Sequence, residues 1–147
     1  MRKKIVAGNW KMNKTAAEAD VLVSELKSIL AAEYKGHAGV LLCVPFPYLG
    51  VVAGSVKGTG LSVGAQNCSQ HDWGAYTGET SAPMLASIGI GHVIIGHSER
   101  RQFFGEDGQL LAAKTDAALR HGLTPVFCSG EQLEIREAGT QIGRAHV

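Results

Sequence analysis

A chain of 147 residues with 45% hydrophobic and 18% charged residues can bury one real core, and a formal net charge of +1 provides neither a basic footprint for nucleic acid nor an acidic tail. No apolar run approaches the roughly 20 residues of a membrane span, and the stretch after the basic start Met1-Arg2-Lys3-Lys4 ends at Gly8-Asn9, too short for a signal peptide. Cys43, Cys68 and Cys128 show no CxxC spacing, and Cys43 and Cys128 each close an apolar run, so buried reduced thiols in a cytoplasmic protein are expected rather than a disulfide framework or a cysteine metal site.

Lys4 to Gly8 is an apolar run too brief for a helix, followed by the polar loop Asn9-Trp10-Lys11-Met12-Asn13. Residues 15–32 then have helical period, with Ala19, Leu22, Val23, Leu26, Ile29 and Leu30 on one stripe and Asn13 or Thr15 as the cap. The cycle repeats. Val40 to Val44 reads as a second strand, broken by Pro45 and Pro47 before a helical stretch over residues 48–53. Leu61 to Ala65 is a third strand, followed by a long polar loop and a helix over residues 82–88. His92 to Ile95 is the fourth strand; Asp107 caps a helix reaching about His121, and Thr124 to Cys128 is the fifth. Pro125 lies near a strand start, where its missing N–H matters least.

Near-continuous Val/Ile/Leu strands separated by amphipathic helices predict a parallel α/β sheet covered by helices, either open and doubly wound or closed into a barrel. Gly89-Ile90-Gly91 resembles part of a dinucleotide fingerprint but precedes a strand instead of following one, so that reading fails on context. In either architecture the chemistry gathers at the carboxyl ends of the strands. The polar residues there are Asn9 and Lys11, Gln66 and Asn67, His97 to Arg101, and Ser129 to Glu131.

Four motifs stand at those ends: "AGNWKMN", "GAQNCSQHDWGAYTGETSAPML", "IIGHSERR" and "FCSGE". In their order and spacing, from about Ile5 to Thr140, they closely resemble the triosephosphate isomerase family. The resemblance implies a (β/α)8 barrel, present here as about five parallel strands. It further implies a cofactor-free, metal-free isomerase of glycolysis and gluconeogenesis. Such an enzyme interconverts dihydroxyacetone phosphate and glyceraldehyde 3-phosphate through an enediolate and works as a homodimer. Lys11 matches the cation that offsets substrate charge, Asn9 a neighbouring hydrogen-bond donor, and His97 the electrophile that polarises the carbonyl and shuttles protons. The family is itself the reference case for a neutral histidine held at a helix N-terminus, and Ser98 and Glu99 open the helix that would supply that dipole. Glu99 resembles the residue that pairs with the active-site lysine.

The loop from Gln66 to Ser81 is long for a βα connection, and in the family it reaches into the other subunit. Thr77 is accordingly expected near the partner's Asn9 and Lys11, Glu79 opposite Arg100 across the interface, and Met12 and Asn13 in the docking pocket. His71 and Trp73 read as interface residues rather than metal ligands. Glu106 and Glu131 resemble structural carboxylates that bridge loops, and Cys128 packs beside the site.

A full barrel takes about 250 residues. The family's catalytic glutamate, its lid and its phosphate loops lie beyond the resemblance, so the expectation for these residues alone is the electrophilic half of a site without its base. A different phosphate-using barrel enzyme is disfavoured by the joint presence of Asn9, Lys11 and His97. The competing reading is a non-catalytic half-barrel with exposed edges. Residues 1–140 are expected to be the N-terminal part of the barrel. Residues 141–147 carry no continuing helix stripe and coincide with a translated sequencing-library adapter, so they are expected to be a sequence artefact.

Overall fold

The computed structural model describes residues 4–34, 36–130 and 133–139. Five strands, β1 (Ile5–Asn9), β2 (Gly39–Val44), β3 (Leu61–Ala65), β4 (His92–Ile95) and β5 (Thr124–Phe127), form one all-parallel sheet in the order β1-β2-β3-β4-β5. A doubly wound sheet reverses its strand order at a switch point. The strictly sequential order here is that of a barrel wall. Register runs without a bulge from Ile5 opposite Gly39 to Asn9 opposite Cys43, and from His92 opposite Thr124 to Ile95 opposite Phe127.

Burial on both faces explains why the central strands β2, β3 and β4 read as continuous apolar runs. Leu42, Val44, Val63, Ala65, Val93 and Ile95 belong to the layer beneath the helices, with Val23, Leu49, Val52, Leu85 and Leu111. The alternating residues Leu41, Cys43 and Ile94 form a second cluster with Val126 and Cys128 on the opposite face. At the two ends of the sheet this coverage stops. Among the described residues β1 pairs only with β2 and β5 only with β4, leaving Val6 64% and Phe127 52% exposed.

The helices are α1 (Ala16–Glu33), α2 (Leu49–Ser55), α3 (Ala82–Ser87), α4 (Ser98–Phe103), α5 (Gly108–Arg120) and α6 (Leu133–Glu137). Thr15, not Asn13, caps α1: its hydroxyl accepts from the Glu18 amide while the Glu18 carboxylate accepts from the Thr15 amide, a reciprocal box. Ala19 and Val23 of the expected stripe are buried and Leu26 and Leu30 pack partly against the core, but Ile29 faces solvent. Asp107 caps α5 by accepting from the Leu110 amide at 2.8 Å. A 3-10 turn over Phe46–Tyr48 leads into α2. No helix among the described residues is long and apolar enough to cross a membrane. Glu131 and the proposed boundary at residues 140–141 lie outside the described residues.

Candidate active site

The carboxyl end of the sheet is built around the loop after β1. Asn9 closes the strand, and its Oδ1 accepts from the Lys11 amide at 2.9 Å, leaving Nδ2 for another partner. Lys11 has φ 53°, the left-handed region that a side chain normally avoids. The neighbouring strands hold it there. Gln66, just past β3, donates from Nε2 to the Lys11 carbonyl at 2.9 Å and to the Cys43 carbonyl at 3.0 Å. The Trp10 amide also donates to the Cys43 carbonyl at 3.0 Å.

From this loop the Lys11 ammonium reaches Glu99 Oε1 at 2.7 Å, across 88 positions of sequence. That hydrogen bond, reinforced by the lysine charge and only partly opposed by burial, holds the Glu99 carboxyl below its usual range.

His97 follows β4 through Gly96, whose φ of 75° suits glycine and whose Cβ would come within 2.8 Å of Arg101 Nη2. His97 is the N-cap of α4, and its Nδ1 accepts from the Glu99 amide at 3.3 Å. Glu99 Oε2 also lies 3.5 Å from Nδ1, but one nitrogen cannot accept from an amide and donate to a carboxylate together. The amide proton is fixed by the backbone, so Nδ1 is the acceptor and the ring proton is assigned to Nε2. Lys11, Glu99 and His97 are thereby brought together at the ends of β1 and β4. Ser98 is exposed in the first turn of α4. Arg101 steadies the turn, donating from Nε to the Gly96 carbonyl at 2.8 Å and from Nη2 to the Cys128 carbonyl at 3.0 Å.

Behind this cluster lies a buried one. Glu106 Oε1 accepts from Arg100 Nε at 2.7 Å and from Lys114 Nζ, which also donates to Asn67 Oδ1 at 2.8 Å. Glu106 and Lys114 are only 4% and 3% exposed. Burial opposes ionisation of Glu106, but the hydrogen bonds and charges of Lys114 and Arg100 outweigh it and hold the carboxyl below its ordinary value. Glu106 therefore bridges segments as expected of a structural carboxylate. Lys114 was not singled out from sequence, and Asn67, to which it donates in turn, was noted only as a polar residue past the third strand. The signal was available: Lys114 shares its face of α5 with Leu111, Ala117 and Ala118, and a lysine on an apolar stripe needs a buried partner.

The residues expected at an interface stay apart from the cluster within one chain. Thr77 and Glu79 are exposed in the outer part of the 66–81 loop, and Met12 is 96% exposed. Asn13 Nδ2 donates to the Trp10 carbonyl at 2.8 Å and lines a cavity of about 400 Å³ with Trp10, Lys14, Glu18 and Leu22. Arg100 is engaged by Glu106 of its own chain, with its guanidinium 4.4 Å from the centre of the Phe104 ring.

Inside the 66–81 loop His71 stacks on Tyr76 with ring centres 3.9 Å apart, while Trp73 is exposed. Asp72 is clamped to the end of α5 by Arg120 Nη2 at 3.2 Å and His121 Nε2 at 3.1 Å. The contact with His121, followed by the charge of Arg120, lowers the Asp72 carboxyl. Pattern reading could not find this clamp, because Arg120 and His121 lie 48 and 49 positions from Asp72 with no periodic relation. The thiols of Cys43 and Cys68 are buried and free, and burial pushes each up to about 11. Cys128 is only partly buried, and its thiol is raised by the same cause.

Comparison with known proteins bears on this geometry. The family model described as triosephosphate isomerase matches residues 4–145. The triosephosphate isomerase of Bacteroides fragilis is 52% identical over 141 residues, covering 96% of this chain and 56% of its own. That of a Synechococcus strain is 50% identical over 142 residues, covering 95% and 56% respectively. The crystal structure of the Bartonella henselae triosephosphate isomerase superposes with a TM-score of 0.83 at 40% identity, covering 94% of this chain and 56% of that one. The chain thus spans about half the length of the relatives it matches.

Proposed function

The chain belongs to the triosephosphate isomerase family, and on that premise we propose that the complete protein interconverts dihydroxyacetone phosphate and glyceraldehyde 3-phosphate, with Asn9, Lys11 and His97 as the residues of this portion that touch substrate. The observation carrying this reading is the convergence on Glu99: its carboxylate accepts from the Lys11 ammonium and its backbone amide donates to His97 Nδ1, joining the loops after β1 and β4.

Isomerisation moves a proton between adjacent carbons and leaves negative charge on two neighbouring oxygens in turn. A ring whose Nδ1 is occupied by a backbone amide presents Nε2–H as a fixed donor. Such a donor stabilises charge where it develops, without reorganising at the moment of reaction. The same nitrogen can pass its proton to one oxygen and recover one from the other. Lys11 supplies a half-exposed cation whose partner, Glu99, is itself half exposed. The ammonium can therefore turn from Glu99 to an anionic substrate with little loss of solvation. Asn9 Nδ2 adds a neutral donor beside it.

Among the described residues this cluster provides stabilisation of charge and no placed base. Glu99 is held by Lys11 and Glu106 by Lys114 and Arg100, so neither is disposed to take a carbon-bound proton. We accordingly propose that the 147-residue chain by itself does not turn over triose phosphate. The complete protein is proposed to be a homodimer in which Met12, Asn13, Thr77, Glu79 and Arg100 contribute to the interface. Exposure of Met12, Trp73, Phe103 and Phe104 supports an interface on this side.

The test is His97→Gln in the complete protein. Loss of a donor that acts mainly on the enediolate lowers kcat by about 10²–10³ with a smaller change in KM. An unchanged kcat would remove His97 from the mechanism.

A further inference from the structure

The loop that presents Lys11 contains two left-handed residues that are not glycine, Lys11 at φ 53° and Lys14 at φ 79°. Each such residue is disfavoured by contact of its Cβ with the backbone and persists only where its surroundings over-determine it. Lys11 is held from both sides by Asn9 and Gln66. The backbone of Lys14 has a different anchor: the Tyr48 hydroxyl donates to the Lys14 carbonyl at 3.0 Å, across 34 positions of sequence. The Tyr48 ring packs against the main core cluster, and its amide donates to the Pro45 carbonyl at 3.0 Å, so the hydroxyl projects from a fixed base just past β2.

We propose that Tyr48 is a positioning residue for Lys11: by pinning the left-handed Lys14 it fixes the far end of the loop and keeps the ammonium in register with Glu99 and the substrate. The segment between the two strained residues is Met12 and Asn13, where Asn13 Nδ2 donates to the Trp10 carbonyl within the loop itself. With the Tyr48 bond removed, Lys14 can relax to a right-handed conformation. The displacement then passes along three residues to Lys11. The consequence for activity rests on the proposed role of Lys11, whereas the consequence for loop geometry does not.

The experiment uses the complete protein, made by joining this chain after Gly139 to the C-terminal remainder of the Bacteroides fragilis relative. Four forms are compared: unsubstituted, Tyr48→Phe, Lys14→Gly and the double variant. Tyr48→Phe is expected to raise KM for glyceraldehyde 3-phosphate by about two- to tenfold, the equivalent of one net hydrogen bond, with a smaller change in kcat. Lys14→Gly places at position 14 a residue that adopts positive φ unaided. The double variant should therefore return to within about twofold of the unsubstituted KM.

Exchange of the Lys11 amide, measured in the same four proteins whether or not they turn over, should be faster in Tyr48→Phe and restored in the double variant. A purely structural tyrosine would lower stability equally in both backgrounds and leave KM and the Lys11 amide unmoved. Either that result or an equal KM penalty with lysine and with glycine at position 14 overturns the proposal. If Lys11→Met leaves turnover intact while Tyr48→Phe still frees the Lys11 amide, the role assigned to Lys11 fails and the anchoring role of Tyr48 stands.

Discussion

Two lysine–glutamate pairs lie close together in this molecule and do opposite work. Lys11–Glu99 is open to solvent, with side chains 52% and 43% exposed, and joins two loops at the carboxyl end of the sheet. Lys114–Glu106 is sealed, with side chains 4% and 2% exposed, and ties α5 to Arg100 of α4 and to Asn67 at the start of the 66–81 loop. A buried pair is locked by the cost of leaving either charge alone in a medium of low dielectric. An exposed pair contributes little to stability and exchanges partners freely. Chemistry that requires a cation to change partners belongs with the second kind, and scaffolding with the first. The side chains are the same; burial separates the roles.

Breaking the sealed pair should have the largest effect. In the complete protein Lys114→Met leaves Glu106 buried with Arg100 alone, at an expected loss of about 3 kcal/mol measured by urea unfolding. A change within error would mean that the network is not structural. Acid gives a milder version of the same break. The Glu106 carboxyl is held below its ordinary 4.5 in the folded state. Its contribution is therefore fully present above about pH 4.5 and is lost as pH falls through the lower folded value. Glu106→Gln should flatten stability against pH in that acid window, and an unaltered profile would assign the loss to other carboxylates.

Burial should also show in thiol chemistry. With its thiol pushed up to about 11, roughly one Cys43 in a thousand is thiolate at pH 8, so iodoacetamide should label Cys128 ahead of Cys43 and Cys68 in the folded protein. Equal labelling would show that the interior opens. The smallest effect on stability belongs to the open pair: Glu99→Gln should leave the melting temperature of the complete protein within error. A loss comparable with that of Lys114→Met would erase the contrast between the pairs.

The central strands were legible because both faces of the sheet are covered there, and β1 was legible from its apolar composition although it is mostly exposed. β3 and β4 begin and end where their apolar runs do, and β1 and β2 differ from theirs by one residue. Caps were legible where a side chain has a local partner, as at Thr15 and Asp107. The short 3-10 turn before α2 and the solvent-facing Ile29 follow from tertiary packing that periodicity does not carry. Asn9, Lys11 and His97 were found through motifs at strand ends, and their joint position was implied by parallel topology. Asp72 and Tyr48 were missed because each acts on a partner more than 30 positions away, whereas Lys114 was missed although its place on the apolar stripe of α5 signals a buried partner.

The proposal that this portion contains charge-stabilising groups without a base is tested most directly by assay. The 147-residue chain, purified free of host isomerase, is to be placed in a coupled triose phosphate reaction beside the complete protein. The expected result is turnover at the level of the blank for the chain, against roughly 1–10³ per second for the complete protein. Sustained turnover in that range by the 147 residues alone would show that a base lies among them and would contradict the account.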